Sequence, residues 1–260
     1  MPRRWAPIPF LIAGYVFLYF PIAFLIVFGF NDSRSTTAWS GFSLRWYRTL
    51  LADAALIEAA LLSLQVAALS ATVALAAGTA AATAAARFGR FPGRPLFEAA
   101  LAAPLVLPEA ISGLSLLLLF VVLERLTGWP SGRGAATVTL AHGAVAVAYV
   151  AVVVRARLAD MDGAIEDAAA DLYAPPWRVF VWVTVPLLAP ALVSGWLLAF
   201  TLSLDDVVVA SFTSGPGATT LPMAVFSATR LGVTPEIYAL ATVIVVAVGA
   251  VLAVVGWGKK

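Results

Sequence analysis

Apolar residues are grouped along this chain into six stretches, each long enough to cross a lipid bilayer. A hydrocarbon core of about 30 Å requires roughly 20 apolar residues in a helix. Within the stretches, small and apolar residues recur with helical rather than alternating spacing, and a helix satisfies its own backbone hydrogen bonds where water is absent. We therefore predict an all-α membrane protein whose six transmembrane helices cover residues 8–28, 56–86, 96–123, 135–154, 187–209 and 237–257.

The composition agrees with an integral membrane protein. Hydrophobic residues make up 62% of the 260 residues and charged residues 12%, with a mean hydropathy of +0.97, whereas about a quarter of the residues of a soluble protein are charged. The first stretch follows Arg3 and Arg4, as in a signal peptide, but it is too long for a typical signal core and no small-residue cleavage site follows it. We expect it to be retained, so that residues 1–260 form a single transmembrane domain surrounded by lipid.

The basic residues predict the orientation of the chain. If the N-terminus is cytoplasmic, ten of the sixteen Lys and Arg residues lie in inner segments and six in outer ones. Inner segments of bacterial membrane proteins carry the excess of positive charge, so we expect both termini to be cytoplasmic. The ten inner residues are Arg3, Arg4, Arg87, Arg90, Arg94, Arg155, Arg157, Arg178, Lys259 and Lys260.

Several residue types and motifs of enzymes and nucleotide-binding proteins are absent from the sequence. With one histidine, no cysteine, and neither an H-E-x-x-H nor a G-x-S-x-G motif, the chain lacks the titratable groups on which an enzyme would rest. It also lacks the phosphate-binding pattern G-x-x-x-x-G-K-[ST], so any nucleotide must be bound by another chain. The basic residues follow the topology and form no nucleic-acid-like patch. We therefore expect a transport protein that binds no metal or cofactor itself.

The loop of about residues 156–186, between the fourth and fifth stretches, is long for a helix connection, which usually indicates function. Its residues 164–172 predict a short helix with acidic residues early, and Pro175 and Pro176 end it. Proline at a helix start favours a second helix over about 177–185. The loop is therefore predicted to be a helix-turn-helix finger on the cytoplasmic side.

This finger resembles the E-A-A-x-x-x-G-x9-I-x-L-P signature of permease subunits in ABC importers, the loop that docks in a cleft of the ATPase. The spacing is kept throughout, although Asp167 stands for the usual Glu, next to Glu166, and Tyr173 stands for the usual Gly. If the backbone at position 173 requires a positive φ, Tyr costs on the order of 1 kcal/mol or more. The resemblance implies that the ATPase-coupling residues are Glu166, Asp167, Ala168, Ala169, Leu172, Tyr173, Val183, Val185 and Pro186.

A second resemblance covers the whole chain and concerns the kind of importer. "SGWLLAFTLSLDDVVVASFTSGPGATTLPMAVFSATRLGVTPEIYALAT", from Ser194 to Thr242, and "PLVLPEAISGLSLLLLFV", from Pro104 to Val121, are similar to the permeases of polyamine ABC importers. The resemblance is to permeases for putrescine, and next to those for spermidine and putrescine. Such relatives tend to carry a longer charged tail after the last apolar stretch than this sequence does.

The resemblance implies a complete assembly in the bacterial inner membrane. Two homologous permeases form one pathway, a dimer of ATPase subunits binds ATP and Mg²⁺ beneath them, and a periplasmic protein delivers the polyamine. The second permease could be another gene product or a copy of this chain. Two alternatives stay open at this point: an ABC permease for spermidine or another small solute, and an ion-coupled secondary carrier, for which we find no inverted repeat.

Three carboxylates inside the predicted helices are candidates for the pathway. A charged group in the bilayer centre costs roughly 2.5–3.5 kcal/mol on insertion scales, so it usually marks a pathway or a partner. Glu109, Asp205 and Asp206 fall at similar depth in the outer half and suit a dication, although both aspartates face the route only if the helix opens there. Helix capping, pairing with Arg125 or Arg230, and binding of the second permease explain these acids equally well. We expect His142 to be a hydrogen-bonding residue between helices.

Overall fold

The structure, a computed structural model, describes residues 8–35, 38–232 and 234–257. In these ranges the chain is mainly helical, and its β pairing is limited to an isolated bridge between Asn31 and Phe42. The contacts divide the chain into two compact units, residues 59–224 and residues 1–58 with 225–260. The proposed functional residues all lie in the unit 59–224. Arg3, Arg4, Lys259 and Lys260, which entered the orientation argument, lie outside the described residues.

Twelve α-helices and one π-helical turn form the described chain. The helices are α1 (Ile8–Phe28), α2 (Arg45–Ala52), α3 (Ala54–Arg87), α4 (Arg94–Val106), α5 (Glu109–Thr127), α6 (Ala135–Asp160), α7 (Ala164–Asp171), α8 (Pro176–Val179), α9 (Val185–Asp205), α10 (Val208–Thr213), α11 (Leu221–Leu231) and α12 (Pro235–Trp257), with the π turn at Phe180–Thr184 between α8 and α9. Five helical segments are long and apolar enough to cross a membrane: α1, α3, α5, α6 and the continuous segment 176–205; α12 supplies a shorter apolar sixth. The predicted all-α membrane fold is confirmed.

Two of the predicted transmembrane helices, at residues 96–123 and 187–209, are each broken into two helices. The first breaks at Leu107 and Pro108, both in extended backbone with ψ of 138° and 139°. Proline has no amide hydrogen and disfavours a helical residue before it. The second breaks after Asp205, and Asp206 has a ψ of 126°. The sequence has no local signal for this second break, because neither proline nor glycine occurs between Trp196 and Ser214.

The fifth transmembrane helix also begins earlier than predicted. Helical backbone is continuous from Pro176 to Asp205, so that the second helix of the loop and the transmembrane helix are one segment. The π turn lies immediately before Pro186, where a regular α-helix would bring the proline ring against the carbonyl four residues earlier. The wider turn, closed by a bond from the Val185 amide to the Phe180 carbonyl, lets the helix pass this proline without ending.

Small residues hold the unit 59–224 together. Ala71, Ala74 and Ala82 of α3 pack with valines of α6 and with Leu188 and Ala199 of α9 in one buried cluster. A β-carbon on Gly78 would lie only 2.8 Å from the Cβ of Val150, so α3 and α6 touch there through a residue without a side chain. Close approach through Gly and Ala is the usual way for helices to associate in lipid. This packing fixes the positions of α6 and α9, which carry the site described next.

Candidate functional sites

A cavity of about 240 Å³ lies in the unit 59–224, where the two broken helices meet α6. Apolar side chains form much of its wall, among them those of Leu105, Val145 and Leu202. Into this apolar wall the chain places six side chains with polar atoms: Glu109, Ser112, His142, Tyr149, Ser203 and Asp206. An apolar pocket with a few converging polar groups has the composition of a small-molecule site.

The break between α4 and α5 positions Glu109. Pro108 is the residue before the first turn of α5, and Glu109 is the acidic residue in that turn. An acid is favourable at this place because the unpaired amides and the helix dipole make a helix N-terminus positive. Gly113, one turn later, lets α5 approach α10 closely, since a β-carbon there would lie 2.7 Å from the ring of Phe212. The wall of the cavity therefore depends on contact between the two broken helices.

The break between α9 and α10 positions Asp206. Its Oδ1 accepts the Ala210 amide hydrogen at 2.9 Å, so the carboxylate satisfies one of the unpaired amides at the start of α10. The side chain of Asp206 is only 13% exposed. Asp205 ends α9 as an exposed residue and is not part of the cavity wall. The helix does open at this pair, but it turns only Asp206 to the cavity.

His142 of α6 lies beside Asp206 and is buried. Its Nδ1 is 2.7 Å from the Ser203 hydroxyl of α9, the hydrogen bond between helices that the sequence predicted. Its Nε2 is 3.4 Å from Asp206 Oδ1, a close contact that does not reach hydrogen-bond geometry. Within the unit 59–224, no ion pair joins Glu109 or Asp206 to a lysine or arginine, including Arg125.

The finger, residues 164–184, is the second candidate site. Helix α7 ends at Asp171, and Tyr173 has a φ of +60°, the left-handed conformation that the family's glycine predicts. The Tyr173 side chain is 96% exposed and that of Leu172 82%. Asp167 and Ala168 are exposed as well, whereas Ala169 and Val183 are half-buried and Pro186 is exposed. The structure thus presents Asp167, Ala168, Leu172 and Tyr173 on the finger's free surface.

Glu166 has a different environment from its neighbour Asp167. Its Oε2 is 3.0 Å from Nε of Arg87 at the end of α3, and its Oε1 accepts the Thr184 hydroxyl hydrogen at 2.7 Å. Its side chain is 19% exposed, and that of Arg87 32%. This attachment of the finger to α3 and to the π turn was not predicted. Its only sequence signal was an arginine at the end of the second apolar stretch.

Comparisons with known proteins place the chain among transport permeases. No family model matches the sequence. The putrescine transport system permease protein PotI of Escherichia coli is 56% identical over 93% of this chain and 86% of its own length. The spermidine/putrescine transport system permease protein PotC of Haemophilus influenzae is 40% identical over 95% of this chain and 93% of its own length.

Solved structures support the same class at the level of the fold. A bacterial ABC transporter involved in the import of the acidic polysaccharide alginate aligns over 100% of this chain and 99% of its own, with a TM-score of 0.70 and 16% identity. An amino acid ABC transporter crystallised with histidines aligns over 82% of this chain, with a TM-score of 0.54 and 18% identity. The fold is therefore that of a membrane-spanning permease subunit of an ABC importer. The chain belongs to the polyamine transport permease family, with PotI and PotC.

Proposed function

We propose that this permease carries a polyamine, putrescine in preference, as one half of the translocation pathway of an ATP-driven importer. The observation that carries the proposal is the pair of acids, Glu109 and Asp206, which share one cavity without a basic partner among the described residues. Identity of 56% to a permease named for putrescine supports the same substrate. The relatives named for spermidine and putrescine are less similar, at 39–40% identity.

The cavity suits a small dication. Each carboxylate can bind one ammonium group, and an ammonium has three hydrogen-bond donors and no acceptor. The leucine and valine side chains of the wall can contact the methylene chain between the two ammonium groups. Asp205 is also proposed for the pathway. Because it is exposed outside the cavity, we assign it to the approach of the cation rather than to the cavity itself.

The finger is proposed to couple the pathway to ATP hydrolysis on separate chains. Its free surface would dock in a cleft of an ATPase subunit, and small side chains such as Ala168 and Ala169 allow a helix to lie deep in such a groove. A dimer of these ATPases would bind ATP and Mg²⁺. Leu172, Tyr173, Val183, Val185 and Pro186 complete the proposed coupling residues. This chain would contribute no catalytic group.

The remaining partners and the orientation follow from the same proposal. A second homologous permease would complete the pathway, and a periplasmic protein would deliver the polyamine to it. The excess of Lys and Arg in the segments that include the finger supports a cytoplasmic finger and cytoplasmic termini in the bacterial inner membrane. With this orientation, the finger and the ATPases are on the same side of the membrane.

Uptake of labelled putrescine tests the proposal directly. The host cells lack their own polyamine importers and carry the neighbouring transporter genes with or without this chain. We expect uptake only when this chain and a hydrolysis-competent ATPase are both present. Uptake that persists with an inactive ATPase would favour an ion-coupled carrier and overturn the coupling proposal. Entry of spermidine or an unrelated solute, without putrescine, would overturn the substrate assignment and leave the permease class intact.

A further inference from the structure

Ser203, His142 and Asp206 form a line of polar groups that the proposed transport function does not by itself explain. They lie on two packed helices and at the break beyond α9, and all three contact the cavity. His142 is 4% exposed and Ser203 7%. His142 Nε2 is buried and makes no geometrically satisfactory hydrogen bond among the described residues, although it is only 3.4 Å from Asp206. A buried polar atom without a partner is costly, so its position requires an explanation.

The direction of the hydrogen bonds follows from the partners. A neutral imidazole has one donor and one acceptor nitrogen, and a carboxylate can only accept. In the described chain, the Ser203 hydroxyl bonds to His142 Nδ1 and to no other group. If Ser203 donates to Nδ1, then Nε2 carries the hydrogen and directs it at Asp206. The opposite tautomer would place the lone pair of Nε2 against a carboxylate oxygen, which is electrostatically unfavourable in a buried site.

We propose that His142 is a positioning residue that orients the Asp206 carboxylate for the cation. The Ala210 amide donates to Oδ1 and His142 Nε2 lies 3.4 Å from the same oxygen, which leaves Oδ2 as the oxygen that can bind an ammonium group. Orientation matters here because Asp206 lies between two helices, where the regular hydrogen-bond ladder does not hold the backbone. Ser203 in turn fixes the imidazole, as outer groups fix the ligands of other ion sites. This inference rests on the proposed role of Asp206 in the pathway.

Two isosteric substitutions separate the two contacts of His142. In His142→Asn the amide reaches about as far as Nδ1, so it retains a partner for Ser203 and loses Asp206. In His142→Gln the amide reaches about as far as Nε2 and can still donate to Asp206. We measure KM and Vmax of putrescine uptake for both, for Asp206→Asn and for His142→Asn with Asp206→Asn. Ser70→Ala is the control, because it removes a buried hydrogen bond between α3 and α6 away from the cavity.

We expect His142→Asn to raise KM about threefold to tenfold, because the contact that is lost is longer than a full hydrogen bond to a charged group. Vmax per assembled transporter should stay unchanged. His142→Gln and Ser70→Ala should keep KM within about twofold of the wild type, and His142→Asn should add nothing once Asp206 is Asn, because coupled residues are not additive. Normalising uptake to the amount of assembled complex removes the effect of reduced folding.

The outcomes distinguish the inference from the proposed function beneath it. If Asp206→Asn leaves KM unchanged, Asp206 is not a pathway residue. The proposed function then loses the pair of acids on which it rests. If Asp206→Asn raises KM but His142→Asn does not, His142 does not position the carboxylate. Equal impairment by His142→Asn and His142→Gln, or effects of His142 and Asp206 that multiply in the double variant, would also overturn the positioning role.

Discussion

Glu166 of the finger and the two acids of the cavity have different environments. In the finger, Glu166 has a cation at 3.0 Å and a hydroxyl donor at 2.7 Å. In the cavity, Asp206 has one backbone amide and a histidine, and Glu109 has no basic partner among the described residues. The partner of Glu166 is supplied by the protein. Asp206 is nearly buried with incomplete compensation, and Glu109 is an exposed residue of the same cavity wall, so a cation that enters the cavity could contact both.

This difference teaches how to interpret an acid in a membrane protein. A buried or half-buried carboxylate must be compensated, and where the chain supplies the cation, the pair is part of the architecture. Where the chain supplies only some hydrogen bonds and no positive charge to the carboxylate, a mobile cation can supply the positive charge. Each of the following substitutions tests one side of this contrast, in order of the expected effect.

Removing the uncompensated charges should cause the largest loss. For Glu109→Gln with Asp206→Asn we expect putrescine uptake to fall by a factor of about 100, since each lost contact of an ammonium with a carboxylate is equivalent to about tenfold. The matched control is Asp205→Asn, which removes an adjacent carboxylate outside the cavity and should lower uptake by no more than about threefold. Wild-type uptake by the double variant in a correctly assembled complex would show that the cavity is not the route.

Removing the compensated charge should act on coupling rather than on cation affinity. Glu166→Ala leaves Arg87 unpaired and releases the finger from α3, so we expect Vmax to fall several-fold, with KM unchanged. Glu166→Arg with Arg87→Glu restores an opposite-charge pair and should recover part of the lost rate. The rates of these variants are compared as putrescine-stimulated ATP hydrolysis by the assembled complex. If the double variant does not recover the rate, and Arg87→Glu alone leaves the rate unchanged, the ion pair between Glu166 and Arg87 does not attach the finger to α3.

Filling the contact between the broken helices should affect stability more than selectivity. Gly113→Ala places a methyl group 2.7 Å from the Phe212 ring, and overpacking of this kind costs typically 1–3 kcal/mol. We expect a lower melting temperature of the detergent-solubilised protein. Gly14→Ala is the control, because nothing lies within 4 Å of the corresponding position in α1. Equal melting temperatures would indicate that α5 and α10 are not in contact.

The smallest effect is expected at the turn of the finger. Tyr173 has a φ of +60°, so Tyr173→Gly should relieve strain of about 1 kcal/mol, partly offset by the greater entropy of glycine in the unfolded chain. We expect slower proteolysis of the finger and uptake equal to or above that of the wild type. Tyr173→Asn, which tolerates this backbone better than other residues, should lie between the two. A loss of uptake in Tyr173→Gly would mean that the exposed ring contacts the ATPase.

Local and long-range features differed in how far the sequence predicted them. The helix of the finger depends on neighbours in the chain, and it was predicted over residues 164–172 and is observed over Ala164–Asp171. The motif's glycine position raised the condition of a positive φ at residue 173, and Tyr173 has that conformation. The break at Pro108 had a local cause in proline, which lies within the third predicted transmembrane stretch. The break at Asp206 had no such local signal, and the side chain that contacts Asp206 there, His142, lies 64 residues earlier on α6.

The same distinction separates the two acids of the finger. Glu166 and Asp167 are adjacent, and the motif gave no reason to prefer either for a structural role. Only the position of α3 shows that Glu166 faces Arg87 and that Asp167 stays exposed. In the same way, nothing in the sequence distinguished Asp205 from Asp206. The structure distinguishes them, because α9 ends at Asp205 and only Asp206 lines the cavity.

Sequence alone determined that this chain is a helical membrane permease of the polyamine family and that its finger keeps the residue spacing of the importer signature. Those properties depend on the length of apolar stretches, on residue spacing and on proline, all of which act between near neighbours. Tertiary structure decided which acids are paired and which are free, because a charge partner is selected by the packing of helices distant in sequence. The close approach of α3, α6 and α9 through Gly and Ala residues places Glu166 against Arg87 and Asp206 against His142.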